Sequence, residues 1–177
     1  DKKKNRYKWF QDGKVNIYHN CVLKNLPIYK NKCAVKYLDK KNNITEFTYY
    51  DLYLMVEKLS VELKKKIKKK NFKIAIHASA SIESAVTMLA CCKLGIEFTV
   101  IFQTLPAESI LTRLKIFKPN LFITKCKIHE IEKFILPLLN KYNKEKKLNI
   151  KILHLNKLKR IKNQTSFNLE NILSSKK

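Results

Sequence analysis

The apolar positions of this chain change period several times, and each change marks an element. Cys33 to Asp39 reads as a strand, Lys40 to Asn43 as a polar turn, and Ile44 to Thr48 as a second strand, which predicts a β-hairpin. From Thr48 the period becomes helical. Leu52, Met55, Val56, Leu59, Leu63 and Ile67 form one apolar stripe, and Thr48 with Asp51 three residues later has the form of a capping box. Lysines crowd the end of that helix, where its dipole tolerates positive charge. Phe72 to His77 is a short apolar strand. Ser79 or Ser81 can cap the next helix, which carries Glu83 in its first turn. Between Ala85 and Cys92 that helix has little polar face, so it is buried, and Gly95 is placed to end it in the left-handed conformation. Phe98 to Phe102 is another apolar strand. Pro106 suits the first turn of a helix carrying Ile110, Leu111, Leu114 and Phe117, which Lys118-Pro119 ends. Leu121 to Thr124 is a third apolar strand. Ile128, Ile131, Ile135, Leu138, Leu139 and Tyr142 repeat at helical spacing, and Pro137 inside the pattern implies a kink or the start of a shorter helix. Ile150 to Leu155 is a fourth strand.

Short, wholly apolar strands alternating with helices imply a parallel sheet covered on both faces. The predicted fold class is α/β: a parallel sheet flanked by helices, with right-handed crossovers, preceded by an N-terminal arm and the hairpin. Ligands are expected at the carboxyl ends of the strands. Three segments follow. Residues 1–33 lack periodicity and read as an extended or irregular arm with Trp9 and Phe10 as anchors. Residues 34–155 form the α/β part. Residues 156–177 form a basic, polar tail with one amphipathic turn around Leu169 to Leu173.

Composition narrows the chemistry. The 177 residues hold two glycines, against roughly a dozen in an average chain of this length. Two cannot build a Walker loop or a dinucleotide fingerprint. The formal net charge is +24. Lysine greatly outnumbers arginine, and Asn, Ile, Tyr and Phe are also plentiful, a pattern that AT-rich codons produce without any ligand. The runs at Lys2-Lys3-Lys4, Lys64-Lys65-Lys66 and Lys68-Lys69-Lys70 are read as solvated faces before nucleic-acid contacts. Cys21, Cys33, Cys91, Cys92 and Cys126 are odd in number and form no Cys-x-x-Cys pair, which argues against disulfides and zinc and fits a reducing compartment: the cytoplasm, with the nucleus as a second option. Cys91 and Cys92 read as buried, inert thiols. The apolar stretch from Ile74 to Phe102 is interrupted by Glu83, Lys93 and Glu97, so no membrane span is expected.

Few residues stand out as chemistry. None of His19, His77, His129 and His154 has a partner at metal-ligand spacing. His154 reads as a core or edge histidine, whereas His77 ends a strand and so faces the ligand side of the sheet. Ser79, Ser81 and Ser84 lack the glycines of a nucleophile elbow and read as caps. Glu130 and Glu132 do not face each other on a helix. Gln103 and Thr104, just after a strand, are the best loop candidates for ligand contact.

Several motifs, in order, resemble a known family. Trp9-Phe10-Gln11-Asp12-Gly13-Lys14-Val15-Asn16-Ile17-Tyr18-His19-Asn20-Cys21 is similar to W-F-x-x-G-K-x-N-x-x-x-N-C, the N-terminal signature of acetyl-coenzyme A synthetases. Phe47-Thr48-Tyr49-Tyr50-Asp51-Leu52 resembles the family's T-Y-x-E/D-L helix start. The run from Glu83 to Gly95 resembles its E-A-A-V-A-M-L-A-C-A-R-I-G helix. Ile101-Phe102, Ala107-Glu108, Arg113 and Lys118-Pro119 continue the match in register.

The resemblance implies an adenylate-forming enzyme. Such enzymes activate acetate or another short carboxylic acid with ATP and magnesium, form an acyl-adenylate, and pass the acyl group to coenzyme A. It implies that the chain is the first part of the large N-terminal domain, its remainder being the partner that carries the phosphate loop, the adenine and magnesium motifs and the adenylation lysine. No catalytic or metal-binding residue and no complete cofactor motif is then expected within these residues. The coenzyme A positions that the resemblance carries over are Phe102, Gln103 and Thr104, where the family has F-G-G-F, and Glu130 and Lys133, where it has R-x-x-R. Lys125 and Lys127 are alternatives to the latter pair. Leu23 stands where the family has an aspartate. Two other readings stay open: a relative that no longer catalyses and acts as a binding or scaffold module, and a basic nucleic-acid-binding domain.

Overall fold

The computed structural model of the chain describes residues 12–68, 70–146 and 150–155. Trp9, Phe10, the tail from Asn156 and the turn at Leu169 to Leu173 lie outside them. Four apolar strands form the central layer: β3 (Lys73–His77), β4 (Glu97–Ile101), β5 (Leu121–Thr124) and β6 (Lys151–His154). They pair in parallel in the order β4-β3-β5-β6. A separate antiparallel hairpin joins β1 (Cys33–Leu38) to β2 (Ile44–Thr48). The Asp39 carboxylate closes its turn by accepting from the Lys41 and Asn43 amides at 2.7 and 2.9 Å.

Alternation along the strands sends side chains to two different cores. Ile74, Ile76, Leu121 and Ile123 face α3 (Tyr49–Lys66) and α4 (Ile82–Leu94). Ala75, Ile101 and Phe122 face α5 (Ala107–Phe117) and α7 (Leu136–Lys146). The central strands β3 and β5 are buried on both faces, which is why their interior positions are apolar.

The helix ends form as their residue types dictate. Thr48 Oγ1 accepts from the Asp51 amide at 3.0 Å while Asp51 Oδ2 accepts from the Thr48 amide at 2.9 Å, a complete capping box that contributes about 1 kcal/mol. Ser81, rather than Ser79, caps α4, with Ser84 closing a second box. Gly95 ends α4 at φ 64°, the left-handed conformation expected of it. Pro106 sits one residue before α5, and Lys118 terminates that helix at φ 54°.

Two segments differ in detail from the sequence pattern. The arm is not extended where it is described. It folds into α1 (Ile17–Cys21), a 3-10 turn (Leu23–Asn25) and α2 (Leu26–Tyr29), and buries Tyr18, Val22 and Leu26 in the first core. Contacts remote in sequence hold it. Tyr18 Oη donates to Glu57 at 2.7 Å, Glu57 also pairs with Lys93, and Asn16 Nδ2 donates to the Cys92 carbonyl at 3.0 Å. Burial, reinforced by Glu57, pushes the Tyr18 phenol pKa well up. The second segment surrounds Pro137. The helical stretch starts as α6 (Ile128–Glu130), widens into a π turn (Ile131–Ile135), and continues as α7 with Pro137 in its first turn. Pro137 has no N–H to give to the carbonyl four residues earlier, and the wider turn accommodates that lost bond.

Candidate functional site

Sheet order locates the site. From β3 the chain crosses by α4 to β4 on one side, and from β5 it crosses by α7 to β6 on the other. The connections therefore diverge between β3 and β5, and a crevice opens at the carboxyl ends of two such strands. The terminal residues there, His77 and Thr124, are register partners.

A cavity of about 400 Å³ lies at this point. His77, Gln103 and Cys126 give it polar groups. Leu105, Ala107 and Ile110 line it from the loop after β4 and the start of α5. Glu130, Phe134, Ile135 and Leu138 line it from α6, the π turn and α7. His77 is 2% exposed and its ring lies 5.4 Å from that of Phe122. His77 Nδ1 stands 3.1 Å from Thr124 Oγ1 and 3.5 Å from Cys126 Sγ. Thr124 Oγ1 accepts from the Cys126 amide at 3.2 Å, and Gln103 Nε2 donates to Cys126 Sγ at 3.3 Å. His77 Nε2 is buried with no hydrogen-bond partner among the described residues, an omission that typically costs about 1–3 kcal/mol.

Burial alone pushes the His77 pKa down to about 4, so the ring is neutral at physiological pH. So weak a base is poorly suited to accepting a proton at that pH. The cluster is therefore better suited to hydrogen-bonded recognition than to proton transfer. Among the described residues no group of three or more His, Cys, Asp or Glu side chains could hold a metal ion.

The structure brings some sequence-selected residues together and separates others. Gln103 and Glu130 line the same cavity. Glu130 Oε2 accepts from the Lys127 amide at 3.0 Å, which fixes its carboxylate at the wall. Phe102 lies just beyond β4, 60% exposed, and Thr104 is exposed. Lys133 is exposed on the π turn, its ammonium 5.4 Å from the ring of Phe134. Of the alternative cations, Lys125 is paired with Glu83 at 2.7 Å, while Lys127 is exposed. His19 and His129 are exposed, and His154 is in β6. Sequence reading did not single out Cys126 or Thr124. Their signal was positional: both lie at the end of the strand that adjoins His77.

The lysine runs contribute to a different place. Lys65, Lys66, Lys68 and Lys151 line a cleft of about 360 Å³ with Phe72, Asn120 and Leu121, at the amino ends of the strands. No helix among the described residues is long and apolar enough to cross a membrane.

Comparison with known proteins agrees with this architecture. Acetyl-coenzyme A synthetase of Helicobacter pylori (strain P12) is 30% identical over 119 residues, 67% of this chain and 18% of that protein. Acetyl-coenzyme A synthetase of Sinorhizobium medicae is 34% identical over 113 residues, 60% of this chain and 17% of that protein. The chain thus spans less than a fifth of the length of these relatives. In fold it resembles the crystal structure of a Brucella canis acyl-CoA synthetase, with a TM-score of 0.62 at 16% identity, over 86% of this chain and 25% of that one. Residues 25–173, which contain the hairpin and all four parallel strands, match the family model for AMP-binding enzymes, and the chain belongs to that family.

Proposed function

We propose that this chain is part of an acid–thiol ligase. In the whole protein, acetate or a similar short carboxylic acid would be activated with ATP and magnesium to an acyl-adenylate, and the acyl group passed to coenzyme A. The observation that carries this reading is the match to the AMP-binding family together with relatives named acetyl-coenzyme A synthetase at 30 and 34% identity. The reading also rests on the ordered motifs from Trp9 to Pro119. In it, residues 34–155 are part of the AMP-binding domain, residues 1–33 are its arm, and residues 156–177 lead into the rest of the protein. The cytoplasm is the compartment in which such an enzyme would meet ATP and coenzyme A.

The edge of the coenzyme A site in this reading comprises Phe102, Gln103, Thr104, Glu130 and Lys133. Side chains stand at Gln103 and Thr104 where glycines would let backbone approach the nucleotide. Glu130 presents negative charge toward an anionic ligand, and Lys133 carries the compensating positive charge. A second reading, a relative that has lost catalysis and serves as a binding module, draws on those same departures.

Acetate-dependent ATP–pyrophosphate exchange by the whole protein separates the two. The ligase reading predicts exchange that needs both acetate, or propionate in its place, and magnesium. No exchange with either acid, together with no coenzyme A binding in calorimetry, would leave the binding module as the function.

A further inference from the structure

We propose that the cleft at the amino ends of β3, β5 and β6 is a binding site for a small organic phosphate, a phosphomonoester carrying a flat apolar group, held by Lys65, Lys66, Lys68 and Lys151 beside Phe72. The cleft lies at the opposite ends of the strands from the coenzyme A edge. The inference goes beyond the ligase reading and does not depend on it.

The first ground is the convergence of like charge. Lys65 and Lys66 end α3, Lys68 lies in the connection to β3, and Lys151 opens β6, far along the chain. The α3 dipole accounts for the lysines of its own last turn. It does not account for Lys151, which the pairing of β6 with β5 carries to the same place, opposite Leu121. No carboxylate lines the cleft among the described residues. Four cations gathered in this way repel one another, and a bound anion turns that repulsion into attraction.

The second ground is that these cations are unspent. Lys36, Lys73, Lys93 and Lys125 pair with Glu46, Glu97, Glu57 and Glu83. Among the described residues none of the four cleft lysines pairs with a carboxylate, and all four are exposed. Glu62, about one helical turn before Lys65 and Lys66 on α3, pairs with neither. Lys73, next to Phe72, is drawn off to Glu97 and to the ring of Phe117.

The third ground is the wall between them. Asn120 Oδ1 accepts from the Lys73 amide at 2.9 Å, and the Asn120 amide donates to the Lys73 carbonyl at 2.8 Å. These bonds hold the side chain in place and use its oxygen, while Nδ2 has no partner among the described residues. Phe72 is half-buried against the first core and Leu121 is buried, so the apolar part of the wall is fixed. The side chains of the cleft thus offer donors and apolar surface. A phosphate group, rich in acceptors, suits the donors, and a flat apolar group suits the Phe72 ring. The volume of about 360 Å³ lies in the range of small-molecule sites.

The test follows Phe72 by fluorine NMR in the whole protein carrying fluorinated phenylalanine, without ATP or coenzyme A. The signal is assigned by its loss in Phe72→Leu. Phenyl phosphate is expected to shift it saturably, with inorganic phosphate and benzyl alcohol each weaker by roughly tenfold or more. Lys68→Ala combined with Lys151→Ala, both at exposed positions, is expected to weaken phenyl phosphate by roughly tenfold. The charge-matched pair Lys40→Ala with Lys41→Ala, in the hairpin turn and outside the cleft lining, is expected to change it by less than about twofold. No saturable shift with phenyl phosphate at concentrations on the order of 10 mM would overturn the proposal. So would equal binding of benzyl alcohol or of inorganic phosphate, wild-type affinity in the cleft variant, or an equal loss in the hairpin variant. Because the readout needs no turnover, failure of the ligase reading leaves this result standing, and the reverse holds as well.

Discussion

Replacing Phe122 by alanine lowers the free energy of unfolding by about 3–5 kcal/mol, read as a lower urea midpoint at unchanged slope. Phe122 is fully buried at 0% exposure, in the core that joins Ala75, Ile101, Ile110, Leu114 and Tyr142. Its strand is hydrogen-bonded on both sides, to β3 and β6, so the backbone cannot close over the space that the ring leaves. The ring also lies 5.4 Å from that of His77, tilted by 30°, so the loss reaches the cavity itself. Domains of ordinary size are stable by about 5–15 kcal/mol, so this one change removes a large share. Phe134, which is 59% exposed, provides the contrast: its replacement by alanine is expected to stay within about 0.5 kcal/mol. A loss below about 1 kcal/mol in Phe122→Ala would mean that β5 is not the buried centre of the sheet.

Acid weakens the wild-type fold more than it weakens His77→Gln, by ~3 kcal/mol between pH 6.5 and 4. The sign follows from the direction of the shift. Burial lowers the folded pKa of His77 from 6.5 to about 4. Between those values the unfolded chain binds a proton that the folded one refuses. The stability due to neutral His77 is therefore complete above pH 6.5, falls as the pH drops toward 4, and is constant below that. A difference of about 2.5 pKa units at 1.36 kcal/mol each sets the magnitude. Carboxylates such as Asp39, whose pKa is lowered by hydrogen bonds from Asn43, add an acid sensitivity shared by both proteins, which cancels in the difference. Urea midpoints measured across this pH range in both proteins check the result. Parallel profiles would mean that His77 is hydrated in the folded state.

Most of the sheet was legible because strands buried on both faces cannot hide their composition. Ile74, Ile76, Phe122 and Ile123 had to be apolar, and the runs that contain them stand out. The helix boundaries were legible where local chemistry decides them, as at Thr48 with Asp51 and at Gly95. The short helices between Ile17 and Tyr29 were not. They owe their shape to Glu57 and Cys92, which lie far along the chain and leave no local period behind. The site was half legible. His77 could be picked out because it ends an apolar strand. Its neighbours Thr124 and Cys126 could not, because strand order rather than sequence order brings β5 beside β3. Gln103 was marked by its place just after a strand and again by resemblance, Glu130 by resemblance, and their meeting in one cavity depends on that same order. The charge of +24 was visible at once and is spent mostly elsewhere, in part on the cleft at the amino ends of the strands.

The proposed ligase activates its carboxylic acid as the adenylate. Forming an adenylate joins a carboxylate oxygen to the α-phosphorus of ATP and expels pyrophosphate. When a thiol then takes the acyl group, the bond between acyl carbon and that oxygen breaks, and the oxygen stays on AMP. Acetate labelled with ¹⁸O at both carboxylate positions, incubated with the whole protein, ATP, magnesium and coenzyme A, follows that atom by mass spectrometry of the nucleotides. A ligase of this kind yields AMP carrying one ¹⁸O atom; ADP with labelled inorganic phosphate, or AMP without label, would rule it out.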